Sequence, residues 1–228
     1  MTPHQTAILK KMQDPKFPEL NFEFAFKLTN ESERGALLIG AAKIEEYLER
    51  LILTILPSKA KSYISKLFNY PGPLSSFSGK MELAYAFRII NERVYNSLTA
   101  LRKLRNEAAH SSNEFSLQVY KERLEMIYDF EDGFKEVVHK IAYKNLIAFK
   151  KDRLKESFET DEDLKHWDHE KLWNEHVPNP DDDPIIQEHL TVWKLAYGLT
   201  YLCTKIEVVR DEYEDMKEFN GTWEDRIH

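Results

Sequence analysis

The stretch TNESERGALLIGAAKIEEYLERLILTIL, Thr29 to Leu56, sets Leu37, Ala41, Ile44, Leu48, Leu51 and Ile55 at intervals of three and four. That period places them on one face of an α-helix, with Asn30 or Thr29 as its cap and acids in its first turn. Pro57 ends it. A long helix with one apolar face is stable only when other elements cover that face. Only 7 glycines and 9 prolines occur in 228 residues, too few for a strand-rich fold that turns about every 8–12 residues. The expected fold is an all-α bundle of about six to seven helices.

Residues 1–30 read as an N-terminal arm, broken by Pro15 and Pro18 and pinned in extended form by Phe22, Phe24 and Phe26 at period two. Residues 31–149 read as the helical core. Beyond the first helix, Lys59 to Phe68 predicts a second, closed by Pro71, Gly72 and Pro73. Ser78 or Ser76 caps a third that runs to about Asn91, and residues 92–110 predict a fourth with Val94, Leu98, Leu101, Leu104 and Ala108 apolar. Residues 116–149 predict one long or kinked helix that tolerates Gly133. An acidic segment at 150–184, ending in VPNPDDDP, reads as a linker, and residues 185–228 as a helix, Ile185 to about Val209, packing on the core and followed by an acidic tail.

The formal net charge is −7, with the acid concentrated after residue 150. An acidic balance does not favour a general nucleic-acid binder. No apolar run is long enough to span a membrane, and the N-terminus MTPHQTAILKKMQDPKF lacks the apolar region of a secretion signal, so a cytoplasmic location is expected. The single cysteine, Cys203, lies in an apolar helical run and reads as a small buried hydrophobe. Phosphate-binding glycine loops, nucleophile elbows and dinucleotide fingerprints are missing from the sequence, and no cofactor is expected.

Two segments stand out together: RGALLIGAAKIEEYLERLI at 34–52 and NYPGPLSSFSGKMELAYAFRIINERVYNSLTALRKLRNEAAH at 69–110. Their GPLSSFSGK turn, the MELAYAFRIIN helix, Glu92 with Tyr95, and the Arg105-to-His110 end resemble the MltR family, named for the repressor of the bacterial mannitol operon. The resemblance covers residues 31–118 and extends to the helix at 185–209. It implies an all-α bundle and a transcriptional regulator. No basic recognition helix of a helix-turn-helix is legible, and one cysteine cannot build a zinc module, so repression through another protein is expected rather than reading of DNA.

The RNEAAH segment, Arg105 to His110, also fits R-x4-H and resembles the HEPN superfamily of helical bundles, many of which are metal-independent endoribonucleases. Attack of a 2′-hydroxyl on its neighbouring phosphate needs a group that moves protons near neutrality and a fixed cation on the phosphate. His110 and Arg105 are the residues for those roles, with Asn106 orienting the imidazole. Arg102, Asn106 and His110 share a face at i, i+4 and i+8, whereas Arg105 and His110 point about 140° apart unless the helix unwinds near Ser111. The superfamily resemblance implies a composite site across a two-fold dimer. The competing reading has these side chains satisfy the helix end, with Arg105 pairing to Glu45 or Glu46.

Two further clusters carry chemistry on paper. Lys59, Lys61, Lys66, Lys80, Arg88, Arg93 and Arg102, interleaved with Tyr63, Phe68, Tyr70 and Phe77, form a basic and aromatic flank of the kind that holds single-stranded RNA. His166, His169 and His176 beside Asp168, Glu170 and Glu175 have helical spacing, but His166 is followed by Trp167 instead of the glutamate of a zinc peptidase; no metal is expected. The sequence thus predicts a homodimer that works on a regulatory protein, with RNA cleavage by Arg105 and His110 as the alternative, and Arg102, Glu45 and Glu46 as binding residues.

Overall fold

The computed structural model describes residues 3–14, 22–56, 61–111, 115–160, 168–177, 179 and 181–220. These residues form ten α-helices and no strand, so the all-α class holds. In chain order they are α1 (Pro3–Met12), α2 (Phe22–Thr29), α3 (Glu33–Ile55), α4 (Lys61–Phe68), α5 (Phe77–Ala86), α6 (Glu92–His110), α7 (Lys121–Ile127), α8 (Phe134–Thr160), α9 (His169–His176) and α10 (Pro184–Asn220). A 3₁₀ turn, Leu117–Tyr120, leads into α7. No helix among the described residues is long and apolar enough to cross a membrane.

The last helix is the pole of the bundle. α10 packs against α3, α2, α8, α1 and α7, and every residue from Leu195 to Val208 is buried. A helix enclosed on all sides is mostly apolar all round, and the two charges in this stretch, Lys205 and Glu207, are paired with Glu131 and Arg210. The threonine hydroxyls there turn back on the helix: Thr200 donates to the carbonyl of Ala196 and Thr204 to that of Thr200, each at 2.9 Å. Cys203 is among the enclosed residues, and burial pushes its thiol up, as fits a packing role.

Several local details differ from the sequence reading. Phe22, Phe24 and Phe26 lie on a helix, not an extended arm, because Ala25 and Leu28 at three-residue spacing are the groups α2 buries. Ser32, not Asn30 or Thr29, caps α3, accepting from the Gly35 amide. Gly133 does not sit inside a helix: its φ is 75°, a left-handed conformation that ends any run from α7 and lets α8 begin afresh. VPNPDDDP is in part a helix start, since the Asp183 carboxylate accepts from the amides of Ile185 at 2.9 Å and Ile186 at 3.0 Å, and Pro184 occupies the first helical position. α8 also runs past residue 150 to Thr160, and α9 packs on it with Trp173 buried. The extra helices at 3–12, 22–29 and 169–176 account for most of the excess over six or seven.

The GPLSSFSGK turn is built for geometry. Ser76 accepts from the Gly79 amide to cap α5, Ser75 Oγ donates to the Gly72 carbonyl at 2.7 Å, and a Cβ on Gly79 would fall 2.1 Å from the Pro73 carbonyl oxygen. Lys80 then reaches inward between two carboxylates of α3, Glu45 at 2.9 Å and Glu49 at 2.8 Å. Burial pulls the Lys80 ammonium down, but the two hydrogen-bonded glutamates outweigh it and hold it above its ordinary value.

Candidate functional site

Helix α6 carries the residues that the sequence singles out. Asn91 caps it, its Oδ1 accepting from the Val94 amide at 3.0 Å. Val94, Leu98, Leu101, Leu104 and Ala108 are buried, and α6 packs against α3, α5 and α7. The remaining surface presents Arg102 and Asn106 half-buried and Arg105 and His110 exposed.

The end of this helix does not unwind. Ser111 donates its amide to the Glu107 carbonyl at 2.9 Å, and the α-helix is continuous through His110. Arg105 and His110 therefore stay about 140° apart around the axis. Unwinding near Ser111, which would bring them together, does not occur, because the α-helical hydrogen bonds persist to the cap. Arg105 turns instead to its neighbour, donating from Nη1 to Asn106 Oδ1 at 3.2 Å.

Arg105 does not pair with Glu45 or Glu46 either. Lys80 takes Glu45, while Glu46 lies 2.9 Å from Lys43 and 3.9 Å from Arg50 on its own helix. Glu45 thus belongs to the contact of α3 with α5, and Glu46 to the surface of α3 itself. Arg102 Nε is buried without a hydrogen bond among the described residues. Its charge lies near Tyr95, whose hydroxyl donates to Glu82 at 2.7 Å and is pushed up mainly by that bond. Tyr95 also stacks on Tyr85, with centroids 4.4 Å apart.

What fixes the end of α6 in space escaped the sequence reading. Glu107 forms an ion pair with Arg123 of α7 and accepts from the Tyr120 hydroxyl, which that contact pushes up. Arg123 in turn lies over the Tyr120 ring, and Tyr120 stacks on Phe115. The Leu117 amide donates to Glu33 at the start of α3 at 2.8 Å, and Ser97 Oγ donates to the Met126 carbonyl at 2.9 Å. No spacing rule links Glu107 to Arg123 across a loop and two elements. Only Tyr120 with Arg123, at i and i+3, was within reach of pattern reading.

The other clusters come apart. Of the basic flank, Lys59 lies outside the described residues; Lys80 is buried between two glutamates, and Arg93 pairs with Asp132 at 2.5 Å. Phe77 is buried, and Tyr63 and Tyr70 are exposed. Of the histidine cluster, His166 lies outside the described residues, and Asp168 is the cap of α9, accepting from Glu170 and Lys171 amides. No group of three His, Cys, Asp or Glu able to hold a metal occurs among the described residues.

Comparison with known proteins finds no match. No family model, no curated protein and no solved structure is significantly similar to this chain. A functional reading therefore stands on the residues and on the arrangement of α6.

Proposed function

We propose that this chain is a non-catalytic, MltR-like regulator of repressor type, cytoplasmic and homodimeric, that acts by presenting the end of α6 to another regulatory protein and not by reading DNA. The observation that carries this reading is the divergence of Arg105 and His110 on an unbroken helix. A single chain then holds no phosphate between a cation and a proton-transfer group, while Arg102, Asn106 and His110 form an aligned polar strip suited to a protein contact. The fate of the basic flank supports the same reading. Lys80 and Arg93, two of its seven cations, are engaged with carboxylates of their own chain, which weakens a cationic track for nucleic acid.

One observation favours a second reading, a metal-independent endoribonuclease of HEPN type. Arg105 and His110 are solvent-exposed, and Asn106 touches Arg105, which leaves these groups open to a second copy. Two chains meeting on this face would set the His110 of one against the Arg105 of the other, removing the 140° obstacle.

The two readings separate in one experiment. Total RNA is incubated with the purified protein in chelator, beside His110→Ala and Arg105→Ala. The regulator reading expects no cleavage by any of them, together with recovery of a specific partner protein that Arg105→Ala and His110→Ala weaken. Cleavage by the wild type that both variants abolish would establish the nuclease, and a tight, sequence-specific DNA shift would contradict the claim that the chain does not read DNA.

A further inference from the structure

Lysines enclosed by this bundle are held by carboxylates. Lys11 meets Asp211 at 2.6 Å, Lys80 meets Glu49 and Glu45 at 2.8 and 2.9 Å, and Lys205 meets Glu131 at 3.2 Å. Lys194 of α10, its side chain 14% exposed, departs from that pattern. Its one ion pair among the described residues, with Glu125 of α7, spans 3.8 Å, too long for a hydrogen bond, and its nitrogen lies 5.8 Å from the centre of the Tyr128 ring. An ammonium carries three donors that a ring face satisfies poorly, whereas a neutral amine gives up far less in such a place.

Lys194 lines a cavity of about 330 Å³ bounded by α8, α10 and the end of α7. Glu125, Tyr128 and His139 line it too, and the His139 ring stacks on Tyr143, one turn on, at 6.2 Å. Burial pulls the Lys194 amino group below its ordinary value and the charge of Lys121 adds to this, while Glu125 opposes it only in part. His139 is likewise held down, by burial and then by Lys194, against the charges of Asp181 and Glu125. The cavity thus sets an amine with an enlarged free-base share beside an imidazole able to accept a proton, the pairing that nucleophilic chemistry by lysine requires.

The rest of the lining says what kind of electrophile fits. Lys135, Glu136 and Lys140 bring charges of both signs, with Lys135 taken by Asp129 at 3.3 Å, so no ionic ligand is selected. The volume is at the small end of the roughly 300–1,000 Å³ of small-molecule sites. An uncharged compound of a few carbon atoms satisfies both conditions, and an aldehyde is the one that an amine attacks without a leaving group to stabilise.

We propose that Lys194 is a nucleophile that captures a small aldehyde as an imine in this cavity, with His139 moving the protons. The amine lone pair forms a bond to the carbonyl carbon, and the carbonyl π pair moves to oxygen, which takes a proton as nitrogen loses one. The hydroxyl of this adduct then takes a second proton and leaves as water, while the nitrogen lone pair closes the C=N bond and nitrogen gives up its last proton, so that amine and aldehyde yield imine and water. The capture is stoichiometric, and the site, made by α7, α8 and α10, does not depend on the reading of α6.

Trapping with propanal and cyanoborohydride tests it, since reduction of the imine leaves a propyl group that peptide mass spectrometry locates. At about pH 7 the full-length protein is expected to be labelled at Lys194 about fivefold or more faster than at Lys140, an exposed lysine of the same cavity, and the difference should close at about pH 10, where every lysine has free amine. In 8 M urea the preference should vanish. Glu125→Gln, which removes the opposing charge, should speed labelling of Lys194 about twofold, and His139→Gln should slow it about threefold without changing the final extent. Both positions are exposed enough for the fold to survive, and unchanged helical circular dichroism confirms it. Equal labelling of Lys194 and Lys140 in the folded protein at about pH 7 would overturn the proposal, as would a preference that persists in urea. Labelling of Lys194 that ignores both variants would overturn it too, since neither the charge nor the imidazole of this cavity would then act on the amine.

Discussion

Gly198 on α10 lies so close to the ring of Tyr128 that a Cβ at that position would come within 2.4 Å of Tyr128 Cδ1 and 3.1 Å of Cγ. Tyr128 is buried after the last turn of α7, with the Lys194 ammonium over its ring, and the clash reaches back to its Cβ at 3.2 Å, so turning the ring alone does not relieve it. Gly198→Ala gains about 1 kcal/mol of helix propensity but incurs an overpacking cost in the upper part of the usual ~1–3 kcal/mol range. The expected outcome in urea unfolding is a net loss of about 1–2 kcal/mol. Gly35→Ala is the milder contrast: its Cβ would meet the capping Ser32 Oγ at 3.1 Å and Glu31 Oε2 at 3.2 Å, with no backbone atom in the way, and the gain in helix propensity should roughly offset the crowding, for a change within about 0.5 kcal/mol.

Glu207 sits in the fully enclosed part of α10, with Arg210 at 2.7 Å and the charges of Asp211, Lys11 and Arg50 around it. Burial raises its carboxyl above the ordinary value, and the nearby cations only partly oppose that. A raised carboxyl binds its proton more tightly folded than unfolded. Its contribution to stability is therefore fully present below the ordinary carboxylate range and is lost as pH rises through the raised folded value. Glu207→Gln mimics the protonated form, and Arg210 keeps Asp211 and Glu214 as partners. Wild type and variant should match in stability near about pH 4, and the variant should be the more stable at about pH 7. Urea melts at both values check this, and a variant less stable at neutral pH would contradict it.

Arg88 closes α5 in the left-handed region, φ 56°, where the Ile89 and Arg88 amides bond back to the carbonyls of Ala84 and Tyr85. Glycine is the usual residue at that place in such a helix end. The left-handed conformation costs a non-glycine residue about 1–2 kcal/mol, and glycine gives back about 0.5–1 of that as extra freedom in the unfolded chain. Arg88→Gly should raise stability by about 0.5–1 kcal/mol, because the exposed side chain forms no ion pair among the described residues. A fall in thermal midpoint would show that Arg88 is held there by a contact worth more than the strain.

Where a signal was local, the sequence was readable. The helix at 92–110 has the predicted bounds because Asn91, the apolar stripe and Ser111 all act within one element. The start and end of α3 and the buried state of Cys203 were close for the same reason. What was not legible depends on partners far along the chain. Gly133 fits a helix as well as a turn until φ is known, and the phenylalanines at 22, 24 and 26 imitate a strand because α2 needs only two buried positions. α10 carried a helical stripe up to Val209, but nothing local said that other helices would enclose its middle. The α6 face was legible as a set of residues, whereas Glu107 with Arg123, which fixes its end, was not.

The GPLSSFSGK turn makes a prediction about fold and not about chemistry. Ser76→Ala removes the α5 cap and should cost about 1 kcal/mol. Gly79→Ala drives a Cβ to 2.1 Å from the Pro73 backbone carbonyl, where no side chain can swing aside, so the turn has to open. Opening it moves Lys80 away from Glu45 and Glu49 and leaves two carboxylates of α3 without their buried cation. Gly79→Ala should therefore destabilise by about 3 kcal/mol or more, and Ser76→Ala combined with it should cost less than the sum, because one turn is lost only once. Strict additivity in the double variant would mean that cap and turn act separately, and an unperturbed Gly79→Ala would mean that the turn adapts without disturbing the ion pair beneath it.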